Sequence, residues 1–427
     1  MEIDRDAVTS TYVLSSKADL TRERFRRARL AETLGNAWKL EPYRTHWKQP
    51  PPAGDDVAGY FRGVPSIEKR WVVENLDGLL VDPDAAVENV LCSTGTSGNR
   101  MFRLVTTRES QFRDEFFGKV AHGAGGERPL MLRLGMTGHG TLLSVPGRPM
   151  ILHSTLHAPW DEQALDFLRR TFAVPGVESR VGTLLVGPWQ LMQLAALLTD
   201  VGIAPQTLAV HTVLALSAPV TPALRTWFTR WWPGINLVER FSLSEVFGGA
   251  TYADQCGAFH TDLHVLPEFQ PYRLPAGDPG GGEDLGDRVS ELWLTELYPF
   301  SQGQPLIRYR TKDLVVRKVC ACGRSDSFQF LGRDIGTVLA PDGLRALLTS
   351  MEVTEAWYDH LLSGDGDPST WRIAAASPTF HALDGTRARL TRHEAWSEAQ
   401  PEAAKRIDRF LDWLTATAAE RGVELEP

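Results

Sequence analysis

Cysteine is scarce in this sequence, four residues in 427, which excludes the dense disulfide framework of a small secreted domain. Long apolar runs are absent: none reaches the roughly 20 residues that a membrane-spanning helix needs. The opening Met1-Glu2-Ile3-Asp4-Arg5-Asp6 carries both charge signs with no apolar segment behind it, so no signal peptide is read there and a cytoplasmic location is expected. Positive charge is not in excess either. With 45 Lys and Arg against 53 Asp and Glu, the net charge is −8, which argues against nucleic acid or an anionic membrane as the main partner. No Gly-x-Gly-x-x-Gly follows a first strand, which sets aside an NAD-binding dehydrogenase.

What is present is the composition of a soluble globular protein, 43% hydrophobic and 23% charged, with length for two or three domains. Between Pro129 and Leu216, short apolar runs alternate with helical segments, the rhythm of strands covered by helices. Met131 to Leu134, Met150 to Leu152, Thr183 to Val186 and Thr212 to Leu216 read as strands. Asp161 to Phe172, Leu191 to Leu198 and the stretch opened by Thr221-Pro222 read as helices. The expected class is α/β, in which ligands bind outside the carboxyl ends of the strands. A β-richer region follows, with strands expected at Ser290 to Leu297 and Leu306 to Arg310. The expected division is a large domain at 1–332, a hinge at 333–336 and a small α+β domain at 337–427.

After the strand Val87 to Cys92 comes Ser93-Thr94-Gly95-Thr96-Ser97-Gly98-Asn99-Arg100. Glycines let a backbone approach a ligand closely, and hydroxyls and amides donate to phosphate oxygens. The loop lacks the lysine of a Walker motif, so taken alone it reads equally as a phosphate grip or a polar turn.

Three more segments decide between these readings: Leu243-Ser244-Glu245-Val246 followed by two glycines, Pro305 to Leu314 with its core Arg308-Tyr309-Arg310-Thr311-Lys312-Asp313-Leu314, and Gly332-Arg333-Asp334. In this order, the four resemble the signatures of adenylate-forming enzymes, with phenylacetate–CoA ligases as the nearest branch. The resemblance runs roughly from Arg22 to Ala375 and implies attack of a carboxylate on the α-phosphate of ATP. It assigns the triphosphate to Ser93, Thr94, Gly95, Thr96, Ser97 and Gly98, with Arg100 or Arg103 as the cation where a lysine commonly stands. Glu245 would hold Mg²⁺, a hard cation suited to carboxylate. Asp313 would accept from both ribose hydroxyls, and Arg333 would touch ribose or phosphate near the hinge. Ser217-Ala218-Pro219, Phe241, Ser242 and Ser244 would frame the nucleotide, and His139, Trp189, Phe241 and Gly248 the acyl pocket.

Cys256, His260, Cys320 and Cys322 form a second constellation of zinc-ligand types. By the resemblance they hold a structural zinc, with His264 as an alternative ligand because the spacing of Cys256 and His260 is tight. The alternative without a metal, buried thiols, stays open. Two features depart from the family. A lysine of the small domain is expected to aid adenylation, yet Lys405 is the one lysine after Lys318 and sits at a solvent-facing helical position. The hinge places Asp334 directly after Arg333. The expected activity is activation of a small aromatic or compact carboxylic acid with ATP and Mg²⁺, followed by transfer to a thiol such as coenzyme A. A carrier-protein thiol or an amine is the alternative acceptor, and a non-catalytic nucleotide-binding relative the alternative class.

Overall fold

Thr183–Val186 is buried at every position, as a parallel strand covered on both faces must be. In the computed structural model it pairs in parallel with Leu130–Leu134 on one side and Thr212–Ala215 on the other. Met150–Ser154 and Asn236–Ser242 extend the parallel set outward. Residues 3–16, 19–52, 56–82, 84–92, 100–122, 127–135, 149–272, 289–338, 347–364 and 367–426 are described, and none of their helices is long and apolar enough to cross a membrane.

The sheet changes character inside Asn236–Ser242. Its first half runs parallel to Thr212–Ala215, while Arg240, Phe241 and Ser242 pair antiparallel with Gly249–Ala253. Antiparallel strands then continue through Ala258–Thr261, Ser327–Arg333, Tyr309–Lys318, Ser290–Glu296 and Val265–Pro271, giving eleven strands in one sheet among the described residues. The α/β class read from the sequence is the observed one. The strand expected from Leu306 begins only at Tyr309, because Leu306 and Ile307 are buried apolar anchors in an irregular segment.

Helix Pro188–Asp200 starts with proline at its first turn and buries Leu191, Met192, Leu194, Ala195, Ala196 and Leu198. Pro222–Trp231 begins the same way, with the Thr221 hydroxyl accepting from the Leu224 amide at 3.4 Å. Pro368–Ala375 packs on the first of these helices and Ser350–Leu362 on the second, and Pro401–Glu420 packs on that covering pair. One apolar core runs without a break from Leu132, Leu184 and Val213 of the sheet to Trp357, Trp371 and Phe410. Polar ties cross the same contact. Both carboxylate oxygens of Glu355 accept from the Ala223 amide at 3.1 Å, at the start of Pro222–Trp231, Arg230 donates to the Gly364 carbonyl at 3.1 Å, and Arg372 pairs with Asp200. A second core joins Tyr43, Trp47 and Ile67 from the first 80 residues to Leu292, Ile307 and Phe328 of the antiparallel half.

Trp357 is fully buried, stacked on Trp396 at 4.7 Å, edge-on to Phe410 at 5.2 Å, with its ring N–H donated to the Ala374 carbonyl at 2.8 Å. Trp357→Ala is expected to cost ~3–5 kcal/mol by denaturant unfolding. Because the core is continuous, amide exchange in Pro222–Trp231 should quicken in the same variant.

Candidate active site

The parallel strands end at Leu134, Ser154, Val186 and Ala215, and the residues that follow line a cavity of about 400 Å³. Gly135, Thr155, Trp189 and Ser217 lie on its wall. Ser217 has φ 76°, a left-handed conformation that costs a non-glycine residue energy, and it turns the Ser217-Ala218-Pro219 loop across the strand ends. Trp189 folds back over Gly187: a Cβ there would meet the indole at 2.8 Å, so a glycine is needed for the ring to lie flat against the backbone. Ser93, Thr94, Gly95, Thr96, Ser97 and Gly98 lie outside the described residues, as does His139. Arg100 is described and exposed.

Glu245 sits in the loop directly after the strand in which the sheet switches direction, and is buried. Two glycines let the chain return. A Cβ at Gly249 would lie 2.0 Å from the Phe241 carbonyl, and one at Gly248 would lie 2.5 Å from His264 Nε2. Gly248 thus packs on His264 and Val265. Phe241 contributes to an aromatic group with Phe328 at 5.4 Å and Phe330 at 5.7 Å, while Ser242 and Ser244 are exposed.

Tyr309–Lys318 and Ser327–Arg333 pair so that Asp313 lies opposite Arg333, and the side chains meet with Arg333 Nε 3.3 Å from Asp313 Oδ1. Asp313 is 1% exposed and its Oδ2 has no hydrogen-bond partner. Burial pushes its carboxyl up to about 7; Arg333 pulls the other way and the negative field of Glu245 adds to the rise. A buried acceptor left without a donor is costly and marks a place where a ligand hydroxyl would fit.

Sequence reasoning passed over one residue here. Lys69 opens the short helix Lys69–Glu74, and its Nζ is 3.5 Å from Glu245 Oε1. Nothing in the local pattern distinguishes it, because its placement comes from a distant pairing: the Ile67 amide donates to the Arg308 carbonyl at 3.1 Å and the Arg310 amide to the Ile67 carbonyl at 2.9 Å. Arg103, by contrast, is withdrawn as a phosphate cation. It is 2% exposed and donates to Glu109, Glu296 and Ser301 at 3.2, 2.9 and 2.9 Å.

Away from this cleft, the ligand atoms of Cys256, His260, Cys320 and Cys322 all lie within 4.8 Å of one another. His260 Nε2 is 3.2 Å from Cys320 Sγ and 3.8 Å from Cys322 Sγ. Three thiols and one imidazole around a common centre are a tetrahedral zinc donor set, and the spacing fits one ion. His264 is not among them; it is buried between Tyr12, Phe117, Phe247 and Phe300.

No protein-family model matches the chain, and no curated protein matches it. Solved structures do. A 2-hydroxyisobutyryl-CoA ligase in the postadenylation state, in complex with R3-HIB-AMP, is similar at 14% identity with a TM-score of 0.63, over 95% of this chain and 86% of that one. The same ligase in an open conformation with 2-HIB-AMP and CoA gives 16% and 0.61, over 94% and 90%. An acyl acid amido synthetase in complex with 2,4-DB gives 14% and 0.54, over 99% and 86%. At such identities the likeness establishes the fold alone, the one that these CoA ligase and amido synthetase structures share.

Two outcomes are expected. Asp313 holds its proton in the native state up to about 7 but loses it near 4 when unfolded. Its stabilising contribution is therefore complete below about pH 4 and is lost as pH rises through about 7; Asp313→Asn should remove that part of the pH dependence of denaturant midpoints. Protein purified without chelator should carry about one equivalent of zinc by elemental analysis, and less than about a tenth would rule the site out.

Proposed function

We propose that the protein activates a small carboxylic acid with ATP, forming an acyl-adenylate and pyrophosphate, and passes the acyl group to a thiol such as coenzyme A. The observation that carries this reading is the buried, unpartnered Asp313 Oδ2 beside Arg333, in a fold shared with ligase structures that hold acyl-adenylates.

Each group has a task suited to its chemistry. Asp313, once ionised, offers two acceptor oxygens to the paired hydroxyls of a ribose. Arg333 keeps that carboxylate in place and is available to the sugar or phosphate. The Ser217-Ala218-Pro219 loop frames the base, and Phe241 with Ser242 and Ser244 borders it. The Ser93 to Gly98 loop and Arg100 take the triphosphate. Glu245 would hold Mg²⁺, which when bound neutralises phosphate charge. The acid enters the cavity beside Trp189, whose indole favours a compact or flat acyl group. Zinc at Cys256, His260, Cys320 and Cys322 is structural in this reading, tying the antiparallel strands together far from the chemistry.

An amine acceptor is the second reading, favoured by the likeness to an acyl acid amido synthetase over 99% of this chain.

Pyrophosphate release measured against a panel of acids, with coenzyme A or amines added in turn, tests both. An acid-dependent signal is expected, and silence with every acid and acceptor would overturn the proposal. Glu245→Gln should lower the rate by ~100-fold or more. ATP affinity should weaken as pH falls through about 7, where Asp313 takes up its proton, and Asp313→Asn should bind ATP weakly at every pH.

A further inference from the structure

We propose that Lys69 supplies the cation that draws the substrate carboxylate and the α-phosphate together. This inference rests on the adenylating reading above.

The step joins two anions. A lone pair on the carboxylate oxygen forms a bond to the α-phosphorus, the bond from that phosphorus to the oxygen bridging to the β-phosphate breaks, and the electron pair leaves with pyrophosphate. No proton is taken or given, so the protein must provide positive charge in place rather than an acid or a base. Glu245 and Asp313 make the demand greater, since both are buried carboxyl groups at the site.

Among the described residues, the other cations have partners, stand in solvent, or already carry a task in the reading above, Arg333 at the sugar or phosphate and Arg100 at the triphosphate. Arg103 is locked to Glu109 and Glu296, and Arg333 lies 3.3 Å from Asp313. Lys312 is about half exposed and 4.0 Å from Asp334, and Lys405 is exposed on the helix Pro401–Glu420. Lys69 differs in two respects. Its side chain is 17% exposed and its Nζ faces a single carboxylate oxygen at 3.5 Å, longer than a formed ammonium–carboxylate hydrogen bond. Its backbone is nonetheless fixed. Arg308 donates to the Arg62 carbonyl at 3.0 Å and also to the Val64 carbonyl, Ile67 bridges to Arg308 and Arg310, and Glu68 pairs with Arg310. A rigid base thus carries a flexible, strongly hydrated point charge. Before substrates arrive, Lys69 compensates the Glu245 carboxylate. A divalent cation held by Glu245 would repel the ammonium and leave it to act on the α-phosphate and the incoming carboxylate.

The test uses the full chain with Lys69→Met, which keeps the stem and removes the charge, and Lys69→Arg, which keeps a charge; thermal melting checks that both fold. Lys69→Met should lower kcat for acid-dependent pyrophosphate release by ~10²–10³ while KM for ATP changes by less than ~3-fold. Lys69→Arg should retain at least about a tenth of the rate. As a readout independent of turnover, Mn²⁺ alone, followed by electron paramagnetic resonance, should bind Lys69→Met several-fold more tightly, because the competing ammonium is gone. A kcat within ~3-fold of the parent, or unchanged Mn²⁺ affinity, would overturn the inference while leaving the adenylating reading intact. If the parent protein itself releases no pyrophosphate with any acid, that reading falls and this inference falls with it.

Discussion

A single strand, Asn236–Ser242, pairs in parallel along its first half and antiparallel along its second, and the geometry of the site follows from that change. On its parallel side, strand ends and their loops point the same way and leave a crevice. On its antiparallel side, neighbouring strands return Asp313 and Arg333 toward the same region. The loop leaving the strand carries Glu245 between the two. Gly248 and Gly249, at φ 110° and 159°, are what allow so abrupt a return, since any side chain at Gly249 would collide with the Phe241 carbonyl.

A loop that holds a carboxylate at a fixed position needs support, and this one is clamped by buried arginines. Arg103 donates to the Glu245 carbonyl at 3.4 Å, and the guanidinium of Arg113 lies 3.6 Å over the Phe247 ring. Both arginines share Glu109 and Glu296, each fully buried. Two positive and two negative groups balance. Burial pushes the Glu296 carboxyl up, Arg103 and Arg113 oppose it, and the negative field of Glu109 adds to the rise. Such a network contributes little net stability against an apolar substitute, yet losing one member strands the others. Its value here is positional: it joins strand Phe102–Thr106, helix Thr107–His122 and strand Ser290–Glu296 to the Glu245 loop through groups that tolerate few alternative arrangements.

The short apolar runs made the strands Leu130–Leu134, Thr183–Val186 and Thr212–Ala215 legible, because parallel strands covered by helices leave a dense Leu and Val signature. Thr221-Pro222 marked a helix start for an equally local reason. Cys256, His260, Cys320 and Cys322 were legible as a set because their chemistry is rare in this chain, but choosing His260 over His264 needed coordinates: the aromatic surroundings of His264 come from Tyr12, Phe117 and Phe300, which are remote in sequence. Arg103 and Lys69 show the same limit in opposite directions. Arg103 stands near a phosphate-type loop and invites a ligand role, yet Glu296, nearly two hundred residues later, holds it. Lys69 stands in an unremarkable amphipathic turn, and only the bridge from Ile67 to Tyr309 brings it to Glu245.

These placements bear on how charge is organised between the two halves of the molecule. The region after Gly336 is fastened over the helices of the parallel sheet by Trp357, Trp371 and Glu355, and a Cβ at Gly332 would lie 2.3 Å from Ser350 Oγ, so the passage from sheet to C-terminal helices is close-packed at its first step. Interiors packed in this way shift between discrete arrangements rather than deforming continuously. An arrangement in which the C-terminal helices left this contact would expose Trp371, Trp227 and their neighbours together, a cost that a new interface of similar size would have to offset. In the packing observed, the charged groups gathered around Glu245 come from three segments of the body: the turn at Lys69, the loop at Glu245 itself and the strand pair of Asp313 and Arg333. All three are tied to the antiparallel half of the sheet, through the Ile67–Tyr309 bridge, the strand Asn236–Ser242 and the Asp313–Arg333 pair.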